Sequence, residues 1–220
     1  RSDWLNIFKG LLLILPVFLL VFIQPDLGTT FTILAIWMGM VFASNIELKK
    51  LIILFLIAIM SIPLAWVVLQ DYQKQRIFTF LSSSKDPLGV GYNLIQSTIA
   101  IGSGQLLGRG LGQGTQSRLQ FLPEFRTDFI FASITEELGF LGAMLIIVLY
   151  FTIFSYLASR AAKCSNGFGY LIIMGVLTML FFQTVVNIGM NIGLVPITGI
   201  TLPLISYGGS SIFSTFISLG

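Results

Sequence analysis

Long stretches of this chain carry almost no polar residue, separated by four short breaks and one long segment. Six runs stand out, at about residues 7–23, 29–43, 51–69, 129–158, 168–194 and 204–220. A helix rises about 1.5 Å per residue, so crossing about 30 Å of hydrocarbon takes about 20 apolar residues. Strict two-residue alternation is absent, and backbone groups in lipid must be satisfied within the segment unless a barrel closes. The pattern predicts an all-α, polytopic membrane helical bundle of about six spans, one membrane domain over residues 1–220. The second run is short enough to need tilt or shielding, and the fourth is long enough to project beyond the membrane.

Composition fixes the solvent. With 55% hydrophobic and 10% charged residues and 20 Phe, the chain has too little polar surface for a soluble domain of 220 residues. Its net charge of +3 is better explained by membrane orientation than by nucleic acid. Arg1, Lys9, Lys49, Lys50, Arg160 and Lys163 fall on one side of the spans, whereas the breaks at 24–28 and 195–203 hold no Lys or Arg. The first side reads as cytoplasmic, which puts residues 70–127 outside. There is no His, so acid–base chemistry falls to carboxylates, Lys, Tyr or water. The single Cys164 forms no internal disulfide. The chain opens at Arg1 without Met, ends inside an apolar run and shows no cleavable signal peptide, which reads as a piece of a longer protein.

A structureless loop of about 58 residues is unusual, and such loops tend to carry function or be disordered. This one interleaves charge with Ile77, Phe78, Phe80 and Leu81 across DYQKQRIFTFL, as an interfacial amphipathic helix does. Residues 94–101 predict a second short, half-buried helix. Glycines 102, 104, 108, 110, 112 and 114 then recur at near-alternate spacing. They allow tight turns or close approach to a ligand, but neither nucleotide-binding pattern fits.

Asp128 stands where the fourth apolar run begins. A carboxylate there can meet water-borne groups while its helix stays in the bilayer, and the helix start favours its ionised form, with Arg126 adding to that. An Asp after Thr at a helix start is equally an ordinary N-terminal cap. Glu136 and Glu137 follow about two turns later, roughly 12 Å along the helix, and point about 100° apart. Glu136 is placed on the side of Asp128, lining one cavity with it, and Glu137 against a neighbouring helix; a structural hydrogen-bonding role is open for either. Gly139 and Gly142 read as helix-contact positions. Gln183, Asn187 and Asn191 repeat every four residues, a stripe that serves helix-to-helix hydrogen bonding or a substrate groove. Asp26 reads mainly as a cap on the second helix.

Several motifs together carry a family resemblance: GYNLIQSTIAIGSGQLLGRGLGQGTQSRLQFLPEFRTDFIFASITEELGFLG (91–142), QPDLGTT (24–30), DYQKQRI (71–77) and NIGMNIGLVPITGITLPLISYGGSS (187–211). Their order resembles the SEDS proteins of bacterial wall synthesis (RodA, FtsW, SpoVE), and DYQKQRI and GTQS lean toward the RodA branch. The resemblance implies ten spans in the whole protein, of which these would be the last six, in the bacterial plasma membrane with the catalytic loop outside. It implies a peptidoglycan glycosyltransferase of cell elongation that polymerises lipid II, the disaccharide-peptide on undecaprenyl pyrophosphate. The family's catalytic aspartate maps onto Asp128, as general base toward the acceptor sugar hydroxyl. A class B penicillin-binding protein is the implied partner, and a divalent cation an implied assistant, although Asp26, Glu124 and Asp128 are too scattered in sequence to define a metal site.

Charge builds on the pyrophosphate as it leaves, which asks for cations. Lys74, Arg76, Arg109, Arg118 and Arg126 are the candidates, with Arg109, Arg118 and Arg126 ahead of Lys85 because a guanidinium grips phosphate in bidentate fashion. Anionic lipid heads are the competing partner for each. Gln96, Asn187, Tyr207 and Ser210 complete the substrate-side set with Glu136, and Ser206–Ser211 are expected to border the cavity. Two positions depart from the family: Arg126 where many members have His, which makes that position permanently cationic, and Gln120 where Glu is frequent. A lipid II flippase, or a non-catalytic scaffold for the transpeptidase, are the alternative functions.

Overall fold

The computed structural model describes residues 4–24, 26–44, 46–81, 90–119 and 121–220. Arg1, Lys85 and Gln120 lie outside them. Nine helices and no strand are found among the described residues: α1 (Trp4–Ile23), α2 (Leu27–Ala43), α3 (Leu48–Val68), α4 (Asp71–Leu81), α5 (Val90–Gly104), α6 (Thr115–Arg118), α7 (Ile130–Lys163), α8 (Gly167–Asn191) and α9 (Gly209–Leu219). Each of the six apolar runs yields a helix. α1, α7 and α8 are long and apolar enough to cross a membrane, and α2 and α9 are shorter apolar helices. The amphipathic stretch is helix α4 with the bounds its pattern gives, and the half-buried stretch is the longer α5.

The chain divides into two compact units. In the first, residues 1–75 and 157–179, Ile7 of α1 packs with Trp37, Val41 and Ile46. α2 starts where Asp26 caps it, Oδ1 accepting from the Thr29 N–H at 3.0 Å and Oδ2 from its hydroxyl at 2.6 Å. Gly39 lets α2 approach α8 closely, since a methyl there would stand 2.1 Å from the Thr178 hydroxyl. Outward positions such as Leu13, Met60 and Val67 stay exposed, as lipid-facing side chains are.

The second unit, residues 76–156 and 180–220, is organised by a break in α7. At Gly139 the backbone turns to φ 70°, ψ −165°, so two helical hydrogen bonds cannot form: Phe140 N–H to Glu136 C=O and Leu141 N–H to Glu137 C=O. All four groups find partners in the glycine-rich loop. Arg109 N–H donates to Glu136 O and Gly110 N–H to Glu137 O, both at 3.0 Å; Phe140 N–H donates to Gln105 O at 2.8 Å and Leu141 N–H to Leu106 O at 3.3 Å. A helix in an apolar span tolerates a break only where protein supplies the missing bonds, and residues 104–110 supply them. The glycines are there for backbone approach. A methyl on Gly104 would stand 2.0 Å from Thr135 O, and one on Gly108, which also has φ +80°, 2.0 Å from Glu137 O. Gly108→Ala in the full-length protein is therefore expected to cost about 2 kcal/mol or more, read as a lower midpoint of thermal unfolding in detergent.

The cores of this unit close around the break and the turn before it. Phe131, Ala143, Ile146, Tyr150 and Leu202 form one cluster, and Ala100, Leu122, Phe129 and Ala132 the other. The last apolar run is only partly helical. Residues 201–208 form turns and helix α9 begins at Gly209, because Ser206 and Tyr207 are used elsewhere.

Candidate active site

Asp128 sits in the turn between α6 and α7, half-buried, two residues before the helix. Local bonds shape this turn: Glu124, at φ +52°, accepts on its carbonyl from Thr127 N–H (3.1 Å) and Phe129 N–H (3.2 Å). Distant residues then fix three successive carbonyls. Arg126 O accepts from the Tyr207 N–H at 2.8 Å, Thr127 O from the Ser206 hydroxyl at 2.6 Å, and Asp128 O from the Nδ2 groups of Asn187 (2.9 Å) and Asn191 (3.0 Å). Both asparagines are fully buried and anchored in turn, Asn187 on Ile200 O and Asn191 on Asn187 O, while Ala132 N–H and the Ser97 hydroxyl hold Asn191. The Asp128 side chain is thus presented from an over-determined backbone.

Its charge environment is mixed. Burial pushes the carboxyl above its ordinary 3.8 and the Glu124 charge pushes it further, while Arg76 and a hydrogen bond from Thr127 pull it back. Arg76, rather than the Arg126 suggested by sequence, is the neighbouring countercharge; its guanidinium also reaches Ile197 O at 3.4 Å. Among the described residues no backbone N–H reaches the Asp128 carboxylate, so it is not the cap of α7. Gly199 faces it, a methyl there standing 3.8 Å from Oδ2.

Beside this turn lies a cavity of about 590 Å³, lined by Gly112, Ser117, Arg118, Phe125, Arg126, Ile130, Ser133, Ile134 and Glu137. Arg126 and Ile130 each stand two residues from Asp128. Arg126 is exposed and lies over the Phe125 ring, 5.1 Å from its centroid; Arg118, also exposed, donates to Gly112 O at 3.1 Å. The cavity presents two guanidinium groups, one carboxylate and an aromatic ring.

Several site residues take other places than sequence suggests. Glu136 is fully buried, and its carboxylate accepts from Gln116 N–H (2.9 Å), Ser117 N–H (3.2 Å) and the hydroxyls of Ser117 (3.0 Å) and Thr115 (3.3 Å). It is the anchor of α6, and Glu137 takes the cavity position. Asn187 holds backbone instead of facing substrate, and Ser206 is buried in the same clamp. Arg109 does not line the cavity; its guanidinium bonds Ser103 O (3.4 Å) and Thr115 Oγ1 (3.2 Å) within its own loop. Gln96 is half-buried on α5 and likewise outside the cavity lining, Lys74 belongs to the first unit, and Tyr207 (77% exposed) and Ser210 keep exposed side chains. Asn191, which holds the Asp128 carbonyl, and Glu137, which lines the cavity, are the positions that sequence reasoning undervalued. The i, i+4 spacing of the asparagines signalled a shared face without its target.

Glu124 and Asp128 are electrostatic neighbours, but no group of three His, Cys, Asp or Glu exists among the described residues. Among the described residues there is thus no all-protein cage for a divalent cation; the Glu124 and Asp128 pair is the carboxylate set that could share one with substrate phosphates.

The family model described as a cell cycle protein, covering FtsW, RodA and SpoVE, matches residues 1–220. The chain is 42% identical over 212 residues to the peptidoglycan glycosyltransferase MrdB of Escherichia coli K12, covering 96% of this chain and 57% of MrdB. It is 39% identical to the stage V sporulation protein E of Bacillus subtilis, covering 94% of this chain and 56% of that protein. It is similar in structure to a chain from work on the structural coordination of polymerization and crosslinking by a peptidoglycan synthase complex, with TM-score 0.79, 32% identity and coverage of 97% and 59%. A mutant of the Thermus thermophilus rod-shape-determining protein RodA matches with TM-score 0.65 and 27% identity, over 100% of this chain and 56% of that one. The chain thus spans under three-fifths of the length of the curated relatives described.

Proposed function

Since the chain belongs to the FtsW/RodA/SpoVE family, we propose that it carries the reaction centre of a membrane peptidoglycan glycosyltransferase that polymerises lipid II. Similar proteins bear the names peptidoglycan glycosyltransferase MrdB and probable peptidoglycan glycosyltransferase FtsW. The observation that carries the reading is the half-buried Asp128, its carboxyl pushed above its ordinary value, on a turn whose carbonyls at 126, 127 and 128 are all held and whose flanking residues Arg126 and Ile130 line a cavity with two arginines.

In this mechanism Asp128 takes the proton from the acceptor sugar hydroxyl as that oxygen attacks the anomeric carbon of the donor strand. The new C–O bond forms on one face while the bond to pyrophosphate breaks on the other, so the linkage inverts. The undecaprenyl pyrophosphate leaves with the electron pair, and Arg126 and Arg118 neutralise its charge. A carboxylate with a raised pKa is a stronger base than an ordinary one, which suits proton abstraction from an alcohol. Tyr207 and Ser210 are exposed and close in sequence to the clamp, available to substrate. Residues 70–127 face the outer side of the bacterial plasma membrane in this reading, and a class B penicillin-binding protein is the crosslinking partner.

The test is conversion of purified lipid II to glycan chains by the full-length protein with its transpeptidase partner and no other glycosyltransferase. Chains support the reading; transfer of lipid II across vesicles without chains replaces it with a flippase. The rate should also fall on the acid side at a higher pH than an ordinary carboxylate gives. The ionised form is the base, and a raised pKa leaves more of it protonated at any mildly acidic pH. A pH–rate profile of polymerisation checks the position of that limb.

A further inference from the structure

The cavity beside Asp128 contains a carboxylate that the mechanism does not use. Glu137 lies on α7 between the start of the helix and the Gly139 break, half-buried, and lines the cavity with Arg118 and Arg126. Among the described residues its side chain has no hydrogen bond or ion pair, whereas four donors saturate its neighbour Glu136. Its backbone is fixed, since Glu137 O accepts from the Gly110 N–H at 3.0 Å in the splice across the break. A carboxylate on a fixed backbone, with unused acceptors and facing a hollow within the roughly 300–1,000 Å³ of small-ligand sites, is set to receive donors from something bound there.

The lining indicates what kind of ligand. A purely anionic ligand would suit Arg118 and Arg126 but be repelled by Glu137, and a simple cation would meet the reverse. A saccharide attached to phosphate satisfies all three. Its hydroxyl and amide N–H groups donate to the acceptor-only carboxylate, its phosphates take the guanidinium groups, and its apolar ring face rests on an aromatic such as Phe125.

We propose that Glu137 is a sugar-recognition residue: with Arg118 and Arg126 it makes the cavity a subsite for the saccharide of a glycosyl pyrophosphate. The proposal rests on the lipid II reading of this same site and adds which carboxylate reads the sugar.

Binding separates the two. Full-length protein in detergent is titrated with two probes, lipid II and sugar-free undecaprenyl pyrophosphate, using native protein, Glu137→Gln and Glu137→Asp, each checked for native thermal unfolding. A hydrogen bond to a charged acceptor predicts that Glu137→Gln weakens lipid II binding about tenfold or more and leaves the sugar-free probe unchanged. Glu137→Asp, which keeps the charge but withdraws it by one methylene, gives an intermediate loss selective for lipid II and serves alone if Glu137→Gln does not fold. Equal weakening of both probes, or none, overturns the sugar role while leaving the polymerase reading intact. Native protein that binds neither probe overturns both.

Discussion

Asp128→Asn in the full-length protein, assayed with its partner, is expected to lower glycan-chain formation by about 10²–10⁴-fold, the usual contribution of a general base. The amide keeps the shape of the side chain and its place beside Gly199, but it cannot accept a proton. The same substitution should leave the protein at least as stable at neutral pH. The folded carboxyl has its value raised, mainly by burial. A raised folded-state value means the folded form is favoured while the group is protonated, and that advantage disappears as pH rises through the folded value. At pH 7 the ionised side chain is therefore a burden on the fold, and a neutral amide removes it. Loss of turnover with an unchanged or higher unfolding midpoint is the signature of a residue kept for chemistry. A variant retaining half the native rate would end the general-base role. Retention of full output in a purified complex without another glycosyltransferase would place the chemistry on a residue other than Asp128.

How far the sequence reaches depends on how local the physics is. DYQKQRIFTFL carries its own amphipathic period and yields α4 at the predicted ends, and Asp26 is close enough to Thr29 to cap α2 by itself. The six apolar runs likewise need only their own composition to become helices. The Gly139 break is different. GFLG reads as a close-packing site on a continuous helix, and the bonds that make a break tolerable come from residues 105–110, about thirty positions earlier. The two glutamates show the same limit. Their divergence follows from 100° per residue, but helical geometry cannot be extended back to Asp128, which lies in a turn, nor reveal that α6 captures Glu136. The last apolar run loses its first residues to turns because Ser206 and Tyr207 hold the backbone at 126–127, roughly 80 positions away. Local pattern thus makes the elements legible, whereas the assignment of polar residues to anchoring or to the cavity waits on contacts between segments.

That clamp supplies the second large effect. Asn191→Leu keeps much of the buried volume but removes the Nδ2 donor to Asp128 O and the Oδ1 acceptor for the Ala132 N–H. An unpaired buried N–H costs about 1–3 kcal/mol, so the unfolding midpoint should drop. The rate should drop by more than instability explains. Asn187 still reaches Asp128 O at 2.9 Å, yet the turn loses one of its tethers, and a shift of about 1 Å in a reacting group can cost about 10²-fold. The loss should fall on kcat, with KM for lipid II little changed, because Asn191 is fully buried and does not line the cavity. Combination with Asp128→Asn distinguishes positioning from general damage. If Asn191 acts by aiming the carboxylate, the double variant polymerises no more slowly than Asp128→Asn alone, since there is no longer a base to misplace. Multiplied losses, with the two substitutions acting independently on the rate, would show that Asn191 supports the fold and contributes nothing specific to Asp128.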